Sequence, residues 1–206
     1  YDQNYPPSTV DFSSMIRAVK AAKPDLVFVA SYPADSAAIV RSINEIGVGE
    51  SVKMLGGAMV GLQYAASMES LGSMLNGIVN YNHYVPEKTV DNPAISDFLK
   101  RYAGLAPDLK IDPLGYYVAP FAYAAGQIIE QAANGAKSLD ENAMTAYLRK
   151  NEIKTMVGPI RFSENGEWST AQVLGTQFQN VVNRNIDQFR QPGKQVIVYP
   201  DRLKSG

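Results

Sequence analysis

The sequence predicts an α/β fold. In residues 1–112, short apolar runs alternate with helical stretches that carry one apolar stripe. Each run is continuous rather than alternating, which is typical of a strand covered on both faces. Apolar residues make up 46% of the 206 residues, sufficient for a sizeable core. Strands separated by helices of this length form right-handed crossovers, so a parallel sheet is expected.

Each element of the first half has a start or stop signal in the sequence. The predicted order is a helix opened by a Ser8–Asp11 capping box and ended by Pro24, a strand over 25–31, a helix from Asp35 to Gly47, a strand over 52–57, a helix over 61–71, a strand over 77–81, and a helix opened by Pro93.

Three segments follow the predicted strands at their carboxyl ends, where parallel sheets bind ligands. They are "SYPADS" (31–36), "GAMVG" (57–61) and "YNHY" (81–84). The glycine-rich stretch 56–61 matches neither GxxxxGK[ST] nor GxGxxG with an acidic partner, so it is not read as a phosphate loop. We expect it to form one wall of a site for another class of ligand.

The pattern changes after Asp112. The sequence predicts one long Ala-rich helix over 112–135 that stops at Asn-Gly, and a further helix capped by Ser138 and Glu141. The residues on either side of Asn165–Gly166 alternate in polarity, which predicts a hairpin. The run "KQVIVYP" (194–200) is the last predicted strand.

Composition excludes several classes of function. The formal net charge is −1 and the 19 basic residues are scattered, so a nucleic-acid partner is not expected. There is no cysteine, which removes disulfides and thiolate chemistry. No apolar stretch approaches the roughly 18 residues that a membrane span needs, so the chain is not expected to span a membrane. No metal or cofactor motif is present, and none is expected to bind.

Candidate catalytic chemistry depends on His83, the one histidine in the sequence. No HExxH, DxDxDG or GxSxG motif accompanies it, so a loop or pocket-wall role is favoured. An enzyme that uses His83 with Tyr84 or Glu87 is the alternative. Trp168 is expected to be a cross-strand partner in the hairpin. Several tyrosines fall at strand ends or helix starts, where a rigid ring with a polar tip suits binding: Tyr32, Tyr81, Tyr84, Tyr116 and Tyr117.

Four separated blocks carry a family resemblance. In order they are "VDFSSMIRAVKAAKPDLVFVASYPADSAAIVRSINEIG", "MLGGAMVG", "DPLGYYVAPFAYAA" and "VGPIRFSENGEW". Together they resemble a type I periplasmic solute-binding protein of the leucine/isoleucine/valine-binding class, the ligand-capturing component of an ABC importer. The resemblance implies a periplasmic, non-enzymatic protein whose partners are a small-molecule ligand and a membrane permease. A sensor domain of the same fold is the alternative.

The resemblance also implies two lobes that close over a solute. Residues 1–112 would form the second lobe without its first strand and helix. Residues 113–170 would return to the first lobe, and 171–206 would cross back through strands near 172–181 and 195–199. Because nothing in the sequence corresponds to a first lobe that precedes these parts, we expect an incomplete chain that lacks about its N-terminal half.

The resemblance assigns site residues position by position. Tyr32 matches a pocket tyrosine of the second lobe, and Tyr117 matches an aromatic ligand neighbour at the hinge. Ala58 stands where amino-acid-binding relatives carry a glutamate that pairs with the ligand ammonium group. A buried ammonium without a carboxylate partner is costly, so this departure argues against an ordinary α-amino acid unless another acid substitutes. The expected ligand is a small amino-acid-like or an aromatic or aliphatic carboxylate. The remaining candidates near this ligand are Met59, Tyr81, His83 and Tyr84.

Overall fold

The computed structural model describes residues 1–170 and 173–206. The helices are α1 (Ser13–Ala22), α2 (Pro33–Ile46), α3 (Ala65–Leu71), α4 (Pro93–Leu109), α5 (Ala119–Ala136) and α6 (Glu141–Lys150). The strands are β1 (Leu26–Ser31), β2 (Met54–Met59), β3 (Val79–Asn82), β4 (Ile153–Thr155), β5 (Gly158–Ile160), β6 (Leu174–Phe178) and β7 (Gln195–Tyr199). The described residues form two compact units, one of Tyr1–Val90 with Leu174–Gly206 and one of Asp91–Val173.

The first unit contains a mixed sheet. Among the described residues its strand order is β1-β2-β3-β6-β7. β1 pairs parallel to β2, and β2 pairs parallel to β3, as the alternation of strands and helices predicts. β6 then pairs antiparallel to β3, and β7 antiparallel to β6. The α/β fold class is therefore confirmed. The strand expected near 172–181 is observed as β6. Residue 172, the first position of the expected strand, lies outside the described residues.

The first helix begins later than the sequence predicts. The predicted Ser8–Asp11 capping box is wrong, because α1 starts at Ser13 and Phe12 occupies its N-cap position. Asp11 still contributes locally, since its Oδ1 accepts a hydrogen bond of 2.8 Å from the Ser13 N–H. A hydrogen bond from the Ser13 side chain, then this backbone bond, and a smaller attraction from Arg17 lower the pKa of the Asp11 carboxyl.

β1 is not covered on both faces, which corrects the expectation from its continuous apolar run. Leu26 and Phe28 are 54% and 64% exposed, whereas Ser31 at the end of the strand is buried. β1 is also the outermost strand of its sheet among the described residues. A cleft of about 320 Å³ runs beside it, bordered by the first residues of the chain, by α1 and by α2. The continuous apolar run of β1 is therefore typical of a strand that has a covering layer on each face, and one of those layers is absent from the described residues.

One part of the core of the first unit joins the sheet to the segments that follow β2 and β6. Its fully buried side chains include Leu62, Met68, Leu71, Leu75, Phe178 and Phe189. The rings of Phe178 and Phe189 meet edge to face, with centroids 6.2 Å apart. The helix predicted over 61–71 is observed as a 3-10 turn (Val60–Gln63), then α3, then a second 3-10 turn (Gly72–Leu75).

In the second unit, the predicted long helix has different ends. Residues 112–118 are not helical, because Asp112 Oδ1 accepts hydrogen bonds from the N–H groups of Leu114 and Gly115. Asn134–Gly135 does not stop α5, which continues to Ala136. A Cβ on Gly135 would lie 2.1 Å from Cζ of Tyr147, so this glycine permits the close approach of α6.

The cap of α6 is also displaced by two residues from its predicted position. Asp140, not Ser138, is the N-cap residue, and its Oδ1 accepts a 3.0 Å bond from the Ala143 N–H. Ser138 instead accepts a bond from the N–H of Asp140 through its hydroxyl oxygen.

The turn at Asn165–Gly166 is observed, as predicted. Gly166 has a φ of +80°, which suits glycine, and its N–H donates to the Ser163 carbonyl at 2.9 Å. Phe162 and Trp168 form an antiparallel bridge across this turn. Trp168 also contacts the ring of Phe121, with centroids 6.5 Å apart. The expectation that Trp168 is a cross-strand partner is therefore confirmed.

Candidate functional site

The carboxyl ends of β1, β2 and β3 meet at one edge of the sheet in the first unit. Ala30 is in register with Ala58, Ser31 with Met59, and Gly57 with Asn80. We call residues 31–36, 58–61 and 81–84 the carboxyl edge. Because three parallel strands end there, the edge gathers the segments that carry most of the candidate residues.

Tyr32 is the most exposed aromatic side chain of the carboxyl edge. It is the N-cap residue of α2, with an extended backbone (φ −90°, ψ 174°), and Pro33 follows it. A residue before proline is restricted to extended conformations, so the sequence itself imposes this geometry. The side chain is 74% exposed. Tyr32 therefore offers a rigid apolar ring with a hydroxyl tip at the end of the sheet.

A buried hydroxyl joins the segments that follow β1 and β2. Ser36 is fully buried, and its Oγ lies 2.8 Å from Oγ of Ser31. The Ser36 hydroxyl donates to the Tyr32 carbonyl at 2.8 Å and accepts a bond of 3.1 Å from the Gly61 N–H. No sequence pattern singles out Ser36, which fixes the backbone of Tyr32 relative to the turn at Gly61.

Gly56 and Gly57 of "GGAMVG" lie in a strand, whereas Gly61 lies in the 3-10 turn Val60–Gln63, and β2 continues past its predicted end at residue 57 to Met59. Gly56 and Gly57 belong to β2, with φ values of +125° and +128°. A Cβ on Gly56 would lie 1.9 Å from the Val79 carbonyl oxygen, and a Cβ on Gly57 would lie 2.4 Å from the Phe28 ring. Both glycines thus permit close packing.

Ala58 and Met59 end β2 at the carboxyl edge, with different exposure. Ala58 is partly exposed, so a small apolar side chain stands at this position of the edge. Met59 is fully buried. Its side chain therefore belongs to the core of the first unit in this structure.

Asn80 is a residue that the sequence analysis missed. It is fully buried, and its side-chain amide donates to the Met59 carbonyl at 3.0 Å and accepts from the Met59 N–H at 2.9 Å. Asparagine is depleted in strands, so its place within the apolar run "GIVNY" was the available signal.

The end of β3 and the segment after it contain three of the candidate residues. Tyr81 and His83 are partly exposed, and their rings lie edge to face with centroids 5.8 Å apart. Burial lowers the pKa of His83 from its ordinary value of 6.5, which favours the neutral imidazole. Tyr84 is buried. Glu87 is buried as well, and its Oε1 accepts a 2.6 Å bond from the Gly193 N–H.

Tyr117 lies in the second unit and is partly exposed. The turn before it is built by Asp112, which accepts from the N–H groups of Leu114 at 2.9 Å and Gly115 at 3.1 Å. Gly115 has a φ of +67°, and a Cβ there would lie 2.5 Å from the Tyr102 ring. Burial, with the nearby Asp112 charge, raises the pKa of Tyr102. The turn therefore has little freedom in how it presents Tyr117.

Residues 1–170 and 173–206 contain no side-chain cluster suited to a metal ion and no helix suited to a membrane span. No group of three or more histidine, aspartate or glutamate side chains in this part of the chain is arranged to hold a metal ion. None of the helices described for it has the length and apolarity needed to cross a bilayer.

The sequence matches a known family over most of its length. Residues 1–177 match the family described as periplasmic binding protein. The chain belongs to the periplasmic binding protein family. One curated relative in this family, the Leu/Ile/Val-binding protein homolog 7 of Brucella abortus, is 28% identical over 204 residues. The match covers 97% of this chain and 47% of the relative, so the chain spans about half the length of that relative.

Solved periplasmic binding proteins have the same fold. A leucine-binding protein of Thermotoga maritima superposes with a TM-score of 0.67 at 21% identity, covering 86% of this chain and 48% of that one. A solute-binding protein from R. palustris, in complex with benzoate, superposes with a TM-score of 0.65 at 17% identity, covering 94% and 48%. The family resemblance and the type I fold are therefore confirmed, in a partial version of that fold.

Proposed function

We propose that this chain is the ligand-binding part of a non-enzymatic, periplasmic component of an ABC importer, which captures a small carboxylate and delivers it to a membrane permease. The observation that carries the proposal is the family match over residues 1–177. The carboxyl edge supports it, because an exposed tyrosine and a partly exposed Tyr81–His83 pair stand where parallel sheets bind ligands.

The proposed ligand is a carboxylate without an amino group, aromatic or aliphatic. Ala58 stands where amino-acid-binding relatives are expected to carry a glutamate, and its methyl group cannot pair with an ammonium. An unpaired buried ammonium costs several kcal/mol in effective terms. The R. palustris protein in complex with benzoate indicates that this fold can hold an amine-free aromatic acid.

Asp35 is the carboxylate that an ammonium could find instead. It is the one acidic residue within the carboxyl edge as defined above. The Tyr5 hydroxyl donates to its Oδ2 at 3.3 Å. Burial first, and then Asp35, raise the pKa of Tyr5, so this hydroxyl stays protonated and continues to donate. This bond occupies one oxygen of Asp35 and leaves its negative charge in place, so Asp35 is the residue whose replacement separates the two ligand classes.

The proposal extends to the lobes and their movement. Residues 1–112 would form most of the second lobe, 113–170 would belong to the first, and 171–206 would return to the second. The length of the relatives supports a further lobe, and the uncovered face of β1 supports a further layer on the second lobe. A ligand that contacts both lobes binds the closed state more tightly and shifts the equilibrium toward closure, which the permease then recognises.

The test is to introduce the absent charge. In the product of the complete gene, we expect wild type to bind benzoate in titration calorimetry and not leucine. Ala58→Glu should strengthen leucine binding and weaken benzoate binding, because the new carboxylate attracts an ammonium and repels a carboxylate. Ala58→Gln introduces a side chain of nearly the same size as glutamate but without its charge. It should not invert the preference for benzoate over leucine.

Two other results would contradict parts of the proposal. If wild type binds leucine and Asp35→Asn abolishes that binding, the amine-free ligand is wrong and the binding function stands. If wild type binds no member of broad panels of amino acids and carboxylates, the solute-binding function fails.

A further inference from the structure

The backbone pairing between β2 and β3 is short. It comprises Gly56 with Val79 and Gly57 with Asn80. β2 nevertheless continues to Met59, where it still pairs with Ser31 of β1. From Ala58 onward, therefore, β2 is joined to β3 by something other than the backbone ladder.

The amide of Asn80 makes that connection. Its Nδ2 donates to the Met59 carbonyl at 3.0 Å, and its Oδ1 accepts from the Met59 N–H at 2.9 Å. One side chain thus occupies both hydrogen-bonding groups of a residue in the next strand, in the manner of a strand partner. The separation between the end of β2 and β3 is set by the length of this side chain.

Asn80 is itself held by a buried polar chain. Thr176 of β6 donates through its hydroxyl to the Asn80 carbonyl at 3.2 Å. The Asn82 amide lies 2.6 Å from the same Thr176 oxygen and donates to it. Thr176, Asn80 and Asn82 are all buried. Such a network is costly when any member loses its partner, so the backbone of β3 at Asn80 is held in place, while the two bonds to Met59 hold the amide itself.

We propose that Asn80 is a positioning residue for the ligand site, which determines the sizes of carboxylate that the site accepts. It holds Ala58 and Met59 at a set separation from the Tyr81–His83 pair, at the edge where the ligand is proposed to bind. Packing alone does not explain an asparagine here, because an apolar side chain would fill a strand interior without a buried amide. The inference rests on the proposed binding function.

A matched control lies at the opposite end of β3. Asn76 Nδ2 donates to the Val181 carbonyl at 2.8 Å, and the Val181 N–H donates to Asn76 Oδ1 at 2.9 Å. The pattern of two bonds is the same as for Asn80 and Met59. Asn76 precedes β3, however, so its loss leaves the carboxyl edge unchanged.

The experiment compares Asn80→Asp and Asn80→Ser with Asn76→Asp and Asn76→Ser in the product of the complete gene. Each Asp variant keeps the acceptor for one N–H and loses the donor for the carbonyl. Thermal unfolding and the Kd values for benzoate and the larger 2-naphthoate are measured at a temperature where every variant is folded. The Ser pair preserves the comparison if an Asp variant fails to fold.

We expect both pairs to lower the Tm, but the Asn80 pair alone to weaken benzoate binding by on the order of tenfold and to change the ratio of the two Kd values. The Asn76 pair should leave the Kd values and their ratio within about twofold of wild type. The same result for the Asn80 pair would indicate a purely structural role and would overturn the inference. If wild type instead binds an amino acid, the same comparison is made with that ligand and a larger homologue. If wild type binds no ligand, the proposed function fails and this inference with it.

Discussion

At the scale of single residues, replacing Tyr32 should affect ligand binding and leave the stability of the fold nearly unchanged. Its ring is 74% exposed, so Tyr32→Ala should change the free energy of unfolding by no more than about 0.5 kcal/mol. If the ring stacks on the ligand and its hydroxyl is paired, the same change should weaken binding by about 1–3 kcal/mol. Titration calorimetry measures the loss, and Tyr32→Phe divides it between ring and hydroxyl. Unchanged affinity in Tyr32→Ala would remove this residue from the site.

His83 predicts a pH dependence of stability. Because burial lowers its pKa below 6.5 in the folded state, the unfolded chain takes up a proton at a higher pH than the folded chain does. The stability is therefore complete above about pH 6.5 and decreases as the pH falls toward the folded-state pKa. His83→Phe keeps an aromatic ring beside Tyr81 and should remove this decrease.

The measurement for His83 is the Tm between about pH 5 and 8, where histidine titrates. No other histidine is present in the 206 residues, which simplifies the comparison. Parallel Tm profiles for wild type and His83→Phe would contradict the assigned pKa.

Gly61 tests the packing between the segments that follow β1 and β2. A Cβ there would lie 2.6 Å from Cα of Pro33 and 2.7 Å from Cβ of Ser36. Gly61→Ala should therefore destabilise the protein by about 1–3 kcal/mol, as overpacking does. Gly104→Ala is the control, because a Cβ on Gly104 has nothing within 4 Å and alanine favours helix. Equal midpoints in urea unfolding for the two variants would show that Gly61 is not confined.

At the scale of elements, the positions of helices and strands could be predicted and several of their ends could not. The alternation of apolar runs with helical stripes is a property of whole segments, so it survives local exceptions. The start of α5 is decided by Asp112 and Gly115, whose hydrogen bonds and positive φ compete with helix formation. The helix α5 does not end at the predicted Asn-Gly stop, because Gly135 is used for close contact with Tyr147 of α6. That partner lies in another helix, so no local pattern reveals it.

The contact between α5 and α6 gives a prediction at this scale. Gly126→Ala should stabilise α5 by about 0.5–1 kcal/mol, because a Cβ there meets nothing within 4 Å. Gly135→Ala in the same helix should destabilise it, because the new Cβ clashes with the Tyr147 ring. The clash should disappear in Gly135→Ala/Tyr147→Ala. A double-mutant cycle without coupling between positions 135 and 147 would contradict this packing.

The candidate site could be predicted in outline only. The strand order places the segments after β1, β2 and β3 at one edge, which the sequence predicts from parallel crossovers. Side-chain direction is a different matter, since Met59 and Tyr84 are buried while Tyr32 is exposed. Ser36 and Asn80 act through hydrogen bonds to residues 25 and 21 positions away, and no local pattern reveals such partners.

At the scale of the whole molecule, the uncovered face of β1 predicts a missing layer. Leu26 is 54% exposed on the outermost strand of the sheet described here. Long apolar edges of this kind are normally covered in native proteins. If residues outside these 206 cover it, Leu26→Ala in the product of the complete gene should destabilise by about 2 kcal/mol or more. A change within about 0.5 kcal/mol in denaturant unfolding would show that the face stays exposed.

The most direct test of the account is a thermal-shift screen of the product of the complete gene against α-amino acids and amine-free carboxylates. A ligand at 100 times its Kd should add about 2.7 kcal/mol of stability, which is readily measured. We expect stabilisation by amine-free acids such as benzoate and none by leucine, isoleucine or valine. Stabilisation by the amino acids alone would contradict the inference from Ala58, and no stabilisation by either panel would contradict the solute-binding function.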